Sequence, residues 1–156
     1  MSRIHQLLER YGESHQNSVN KLIHWVCVPA IMFSLLGLVS LIPFPFESTG
    51  MFSNWATVLL VVALFYYLRL SFPMFSGFVL IGLGLLWGIH QINSTSGLHP
   101  GFLFALIFVV AWIGQFIGHK VEGKKPSFFQ DLQFLLIGPA WLLHFIFEKL
   151  GIGYGK

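Results

Sequence analysis

The sequence predicts an all-α fold, a polytopic bundle of membrane-spanning helices in a single domain. Of its 156 residues, 55% are hydrophobic and only 10% are charged, whereas a soluble domain carries about 25% charged residues. No Asp, Glu, Lys or Arg occurs between Lys21 and Glu47, between Glu47 and Arg69, or between Arg69 and Lys120. A helix that crosses a bilayer needs about 20 mainly apolar residues, so these stretches hold about four spans.

The N-terminal residues 1–17 are predicted to form an amphipathic arm before the first span. Ile4, Leu7, Leu8 and Tyr11 recur at the spacing of one helix face, and charged side chains occupy other positions. Such helices typically lie along a membrane surface. Polar residues continue past the arm and no cleavage site follows them. We therefore expect no removable signal peptide, and a first span that stays in the mature protein.

Four apolar runs follow the arm and make up the predicted bundle, residues 22–119. The spans cover about residues 22–41, 55–70, 74–92 and 102–118. Between them lie short stretches rich in proline, glycine and polar residues, which are typical of turns at a membrane interface.

The C-terminal segment, residues 128–150, is apolar but is divided by Gly138–Pro139 into halves of roughly ten residues. It is therefore either a kinked fifth span or a re-entrant or interfacial helical hairpin. Lysines and arginines lie before the first span and after the second and fourth. Excess positive charge marks the cytoplasmic side, so both termini lie there if the segment does not cross. We predict four spans and a C-terminal hairpin.

Composition also excludes some functions. The net charge of +3 is too small and too scattered to indicate a nucleic-acid-binding protein. The single cysteine, Cys27, excludes an internal disulfide and a metal site built from cysteines. The sequence carries no signal for the oligomeric state.

The predicted topology sorts the histidines. His15, His24 and His119 lie at the cytoplasmic ends of the arm, the first span and the fourth span. His144 joins them if the C-terminal segment re-enters the bundle. Ionisable groups at membrane depth are costly and usually face a bundle interior. We therefore expect these imidazoles to converge.

The spacing of His15 and His24 requires a bend in the chain. Nine residues at about 100° each put the two side chains on opposite sides of one straight helix. Residues 16–18, Gln-Asn-Ser, supply a break, and the asparagine and the serine are suitable N-caps for the next helix. With this bend both histidines can bind one metal. An unbroken straight helix through residues 11–28 would exclude the shared site.

Three converging imidazoles suit Fe(II) or Zn(II), with Glu122 or Asp131 as a carboxylate ligand or as a hydrogen-bond partner of the ligands. The spacing does not choose between the metals: zinc would favour a hydrolase, and iron would favour oxygen chemistry. A membrane hydroxylase is another alternative, although the HxxxH and HxxHH boxes of the desaturase and hydroxylase superfamily are absent. A non-catalytic membrane protein or a b-type haem protein using two histidines also stays open.

A two-part motif of polar residues in apolar sequence makes a resemblance specific. Its parts are Tyr11-x3-His15-x4-Asn20-x3-His24-x4-Pro29 and Gln115-x2-Gly118-His119-x2-Glu122-Gly123-x2-Pro126. The motif resembles that of the membrane-bound 2-hydroxy fatty acid dioxygenase family, over nearly the whole chain. The resemblance implies an Fe(II)-dependent α-oxidation, in which a 2-hydroxy fatty acid and O2 give an acid one carbon shorter.

The resemblance also implies roles for single residues. Glu122 would be a further ligand or an acid–base partner, and three polar residues would support the site. The implied iron ligands are His15, His24 and His119, and the supporting residues are Tyr11, Asn20 and Gln115. His144 and Asp131 are additional candidates.

The implied partners are a 2-hydroxy fatty acid, O2 and membrane lipids. Lys120 and Lys124 would attract the substrate carboxylate, although their positions alone are explained equally well as charges facing lipid head groups. The acyl tail would lie among the aromatic-rich spans. We expect an integral membrane protein of the bacterial inner membrane, or of the endoplasmic reticulum in a eukaryote, with its active site on the cytoplasmic side.

Overall fold

The computed structural model describes residues 2–46, 50–95, 97, 99–123 and 134–155. These residues form six α-helices and no strand, which confirms the predicted all-α class. The helices are α1 (Arg3–Gly12), α2 (Ser18–Ser40), α3 (Trp55–Leu70), α4 (Phe72–Ser94), α5 (Pro100–Val121) and α6 (Ile137–Leu150). Helices α2, α4 and α5 are long and apolar enough to cross a membrane. Helix α3 is shorter, with 16 residues.

Helix α1 has the amphipathic face that the sequence predicted. Ile4, Leu8 and Tyr11 are buried, and they belong to one apolar cluster with Trp141 of α6 and with Tyr154. The face therefore packs on the protein's own C-terminal helix. The sequence could not indicate this, because an apolar helix face has the same pattern whether it meets lipid or protein.

The predicted break between the arm and the first span is confirmed. Helix α1 ends at Gly12 and α2 begins at Ser18, with Asn17 as its N-cap. The Asn17 Oδ1 accepts hydrogen bonds from the backbone N–H groups of Val19 at 2.9 Å and Asn20 at 3.4 Å. These bonds satisfy N–H groups that have no partner within the helix, so the turn is chemically defined.

Helices α2 and α5 pack closely in antiparallel directions. A Cβ atom on Gly114 of α5 would lie 2.5 Å from Cys27 Sγ of α2, and one on Gly118 would collide with Asn20 Oδ1. Such close approach depends on the missing side chains of the glycines. This register brings the N-terminal end of α2 beside the C-terminal end of α5, where the histidines lie.

The described part of the C-terminal segment contains one helix, α6, which begins at Ile137. Gly138 and Pro139 lie in its first turn, where proline's missing N–H breaks no intrahelical bond. At 14 residues, α6 is about 21 Å long and too short to cross a bilayer core of about 30 Å. The first part of the predicted hairpin falls within residues 124–133, outside the described residues.

Candidate metal centre

Three buried histidines meet where α2, α5 and the α1–α2 connection come together. His15 lies in that connection, His24 in the second turn of α2 and His119 in the last turn of α5. Their exposed fractions are 2%, 0% and 7%. One ligand nitrogen from each ring lies within 4.8 Å of the others. In the described part of the chain, no other group of three histidine, cysteine or acidic side chains meets this criterion.

Backbone carbonyl groups fix the orientation of two of these rings. The His15 Nδ1 lies 2.7 Å from the Tyr11 carbonyl oxygen, and the His24 Nδ1 lies 2.9 Å from the Asn20 carbonyl oxygen. A carbonyl oxygen only accepts hydrogen bonds, so each Nδ1 must carry the proton and donate it. In the neutral ring, the Nε2 atom is then left with a lone pair.

The two Nε2 atoms, of His15 and His24, face each other at 2.9 Å. Two lone pairs cannot form a hydrogen bond with each other, whereas a shared cation would be bound by both. Two imidazole nitrogens at about 2.1 Å from one ion, at a right angle, lie about 3 Å apart. Metal-binding histidines also usually donate their other ring N–H to a carbonyl or carboxylate. The residues therefore fit a divalent first-row metal.

Glu122, which follows α5, holds the bend. Its Oε1 accepts a hydrogen bond from the Gln16 N–H at 2.8 Å, and its Oε2 accepts from the Asn17 N–H and from Asn20 Nδ2, both at 2.9 Å. Burial disfavours the carboxylate, but these three donors outweigh it and hold the pKa of Glu122 below its ordinary value. Both oxygens are thus directed at the chain that carries His15.

The three supporting residues of the motif all lie beside the histidines. The Tyr11 ring stacks on His15 at a centroid distance of 4.2 Å. Besides its bond to Glu122, Asn20 turns its Oδ1 towards α5. Gln115 is buried one helical turn before His119. Within the described residues, Asn20 Oδ1 and Gln115 Oε1 have no hydrogen-bond partner, which is unusual for buried oxygens.

An open polar cavity of about 540 Å³ reaches the site from outside, and His15 is part of its wall. His144 lies on this wall and is not part of the triad. Its Nδ1 donates to the Trp141 carbonyl, and burial lowers its pKa in spite of this bond. The charged side chains on the wall are Glu9, Glu13, Lys21 and Glu148.

Lys120, one of the two predicted substrate lysines, does not line this wall. Lys120 is exposed at the end of α5, and the lysine that lines the cavity is Lys21. Lys124 and the candidate ligand Asp131 lie outside the described residues.

Sequence reasoning missed Trp141 of α6. Its ring centroid lies 5.2 Å from that of His15 and 5.5 Å from that of Tyr11, so it helps to enclose the triad. A tryptophan in an apolar segment has no pattern that would separate this position from ordinary packing.

Comparison with known proteins gives the site a context. The chain matches the family model described as 2-hydroxy-palmitic acid dioxygenase Mpo1-like over residues 1–150. The 2-hydroxy-palmitic acid dioxygenase MPO1 of Saccharomyces cerevisiae is 30% identical over 145 residues, which cover 90% of this chain and 78% of the yeast protein. No solved structure matches the chain.

Proposed function

Because the chain belongs to the Mpo1-like family of 2-hydroxy-palmitic acid dioxygenases, we propose that it is an Fe(II)-dependent dioxygenase of 2-hydroxy fatty acids. The observation that carries the proposal is the buried triad, His15, His24 and His119. In the proposed reaction, R–CH(OH)–COOH and O2 give R–COOH, CO2 and water, so the atoms balance without a further reductant. The product is the fatty acid one carbon shorter.

In this proposal the three imidazoles hold the iron. Fe(II) with open coordination positions supplies the redox chemistry by which O2 reacts with an organic substrate. The carbonyl groups of Tyr11 and Asn20 keep two rings in the tautomer that binds a metal. Glu122 acts as a positioning residue, because it ties the bend that carries His15 to the end of α5.

The substrate's polar end would meet groups that are already in place. Gln115 Oε1 is a buried acceptor without a partner in the described residues, and we propose that the 2-hydroxyl group donates a hydrogen bond to it. We propose that Lys21 attracts the carboxylate, since among the described residues it is the lysine that lines the same cavity as His15. The three histidine side chains are themselves buried, although a polar cavity reaches His15 from outside.

A site at the end of membrane-crossing helices also suits the substrate. Transfer of each methylene group into water costs about 0.8 kcal/mol. A long acyl chain that moves directly from the bilayer into the bundle avoids most of this cost.

The test is conversion of 2-hydroxypalmitic acid to pentadecanoic acid by purified protein, followed by mass spectrometry. Product should require both O2 and Fe(II). The His119→Ala variant should lose the activity, and His99→Ala, at the opposite end of α5, should keep it. Activity under argon with Zn(II) in place of iron would contradict the proposal and favour a hydrolase.

A further inference from the structure

Three apolar cavities inside the bundle share two residues. The first has a volume of about 20 Å³, the second about 150 Å³ and the third about 120 Å³. Met32 of α2 and Pro139 of α6 line all three. The three cavities therefore lie around the same two side chains, where Met32 packs beside the first turn of α6.

The smallest cavity extends from Met32 to two polar side chains beside the metal centre. Tyr11 and Gln115 form its polar end. Tyr11 stacks on His15, and the Gln115 side chain carries a buried Oε1 that is unpartnered among the described residues. This small cavity thus has the polar side chains of Tyr11 and Gln115 at one end and apolar side chains along the rest of its wall.

The cavity of about 150 Å³ extends from Met32 to the side chains of α3. Its wall comes from α2, α3, α4 and the residues that lead into α6, and it is almost wholly apolar. Leu135, Met32 and Pro139 line both it and the smallest cavity. Apolar cavities of this size do not hold water and accept apolar ligands.

A polar end followed by an apolar channel fits a single-chain amphiphile. We propose that the acyl chain of the 2-hydroxy fatty acid passes Met32 and occupies the cavity between α2, α3 and α4. Met32 sets how far the chain reaches. Its unbranched side chain can adopt several rotamers, so it can close the channel without a ligand and swing aside for one. This inference rests on the proposed function for the identity of the head group.

The experiment uses a 2-hydroxy fatty acid with a photoreactive diazirine at the middle of its chain, added under argon so that no turnover occurs. After irradiation of wild-type protein in detergent, peptide mass spectrometry locates the labelled residues. Label should appear on residues around Met32 in α2 and Leu60 in α3, which lines the same cavity, and unlabelled 2-hydroxypalmitic acid should compete it away. Label confined to lipid-facing positions, or label that is not competed, would overturn the inference.

A matched pair of variants tests the position of Met32. Met32→Trp fills the space beside Met32 that the three cavities share. Leu80→Trp introduces the same ring on α4, at a position where the leucine side chain is 73% exposed. Competable labelling should fall about tenfold or more in Met32→Trp, in line with the discrimination that a filled apolar pocket achieves. It should not change in Leu80→Trp. Equal labelling in both variants would refute a role for Met32.

The labelling separates this inference from the proposed reaction. Competed labelling at the cavity without O2-dependent product would support the acyl site and contradict the proposed dioxygenase activity. Product formation without labelling at the cavity would support the dioxygenase activity and contradict the acyl site. If Met32→Trp does not fold, the wild-type labelling pattern still tests whether the acyl chain occupies the cavity.

Discussion

Replacing Glu122 by glutamine should weaken metal binding although the residue is not a ligand in the proposed site. Glutamine keeps one acceptor oxygen but turns an NH2 group towards N–H donors that the carboxylate now satisfies. The Oε2 atom accepts from Asn17 N–H and from Asn20 Nδ2, both at 2.9 Å. Hydrogen bonds to a charged group contribute about 1.5–3 kcal/mol each, less where solvent screens them. We expect a loss of about 2 kcal/mol in the free energy of unfolding.

The effect on the metal follows from where these bonds lie. They join the end of α5 to the backbone at residues 16 and 17, directly after His15. The Nε2 atoms of His15 and His24 are 2.9 Å apart. A looser bend lets His15 move away from His24. Changes to groups that position metal ligands typically reduce affinity by about 10–100-fold. The measurement is an anaerobic Fe(II) titration against a competing chelator.

Glu9→Gln is the matched control, because it removes the same charge from an exposed side chain that lines the polar cavity but is not among the described hydrogen-bond partners of residues 16 and 17. Its iron affinity and thermal unfolding should equal those of the wild type. If Glu122→Gln also binds iron as the wild type does, the idea that this carboxylate positions His15 is wrong.

Three further predictions concern stability and activity. Gly118→Ala should lower the free energy of unfolding by about 1–3 kcal/mol, because the added methyl group would collide with α2. Gly84→Ala, which meets nothing within 4 Å, should be neutral or stabilising by up to about 1 kcal/mol in thermal unfolding. Gln115→Leu should leave stability unchanged or raised, since it removes a buried unpartnered oxygen, yet lower kcat/KM about tenfold. The control variant Gln91→Leu, which changes an exposed side chain, should alter neither the stability nor kcat/KM. The lowered pKa of Glu122 means that its stabilising effect is complete above its ordinary pKa of 4.5 and is lost as the pH falls through the lowered value. The difference in Tm between wild type and Glu122→Gln should therefore narrow below about pH 4.5, and a constant difference would contradict this.

The sequence could predict the parts of the site that depend on periodicity and spacing. The separation of His15 and His24 excludes a straight helix, and the polar residues between them supply the bend that the structure contains. The charge-free stretches indicate the apolar helices, and their alternating direction brings His119 to the same end. Each of these steps uses only helix geometry and the cost of burying charge.

Other features could not be predicted because they depend on contacts that leave no pattern. The partners of Glu122 are mainly backbone N–H groups, and every residue except proline has one. Pro139 lies in the first turn of α6, where proline is tolerated, and the sequence could not tell this position from one inside a longer helix. The shared position of Met32 on three cavities depends on the packing of several helices at once.

Iron content of anaerobically purified protein provides the decisive comparison. Wild-type protein reconstituted with Fe(II) and freed of excess metal should hold about one iron per chain, as expected of one mononuclear site. The triple variant His15→Ala, His24→Ala, His119→Ala should hold almost none, although its helical content is unchanged by circular dichroism. Equal iron in the two proteins, or a haem absorption band in place of mononuclear iron, would contradict the metal centre proposed for these three histidines.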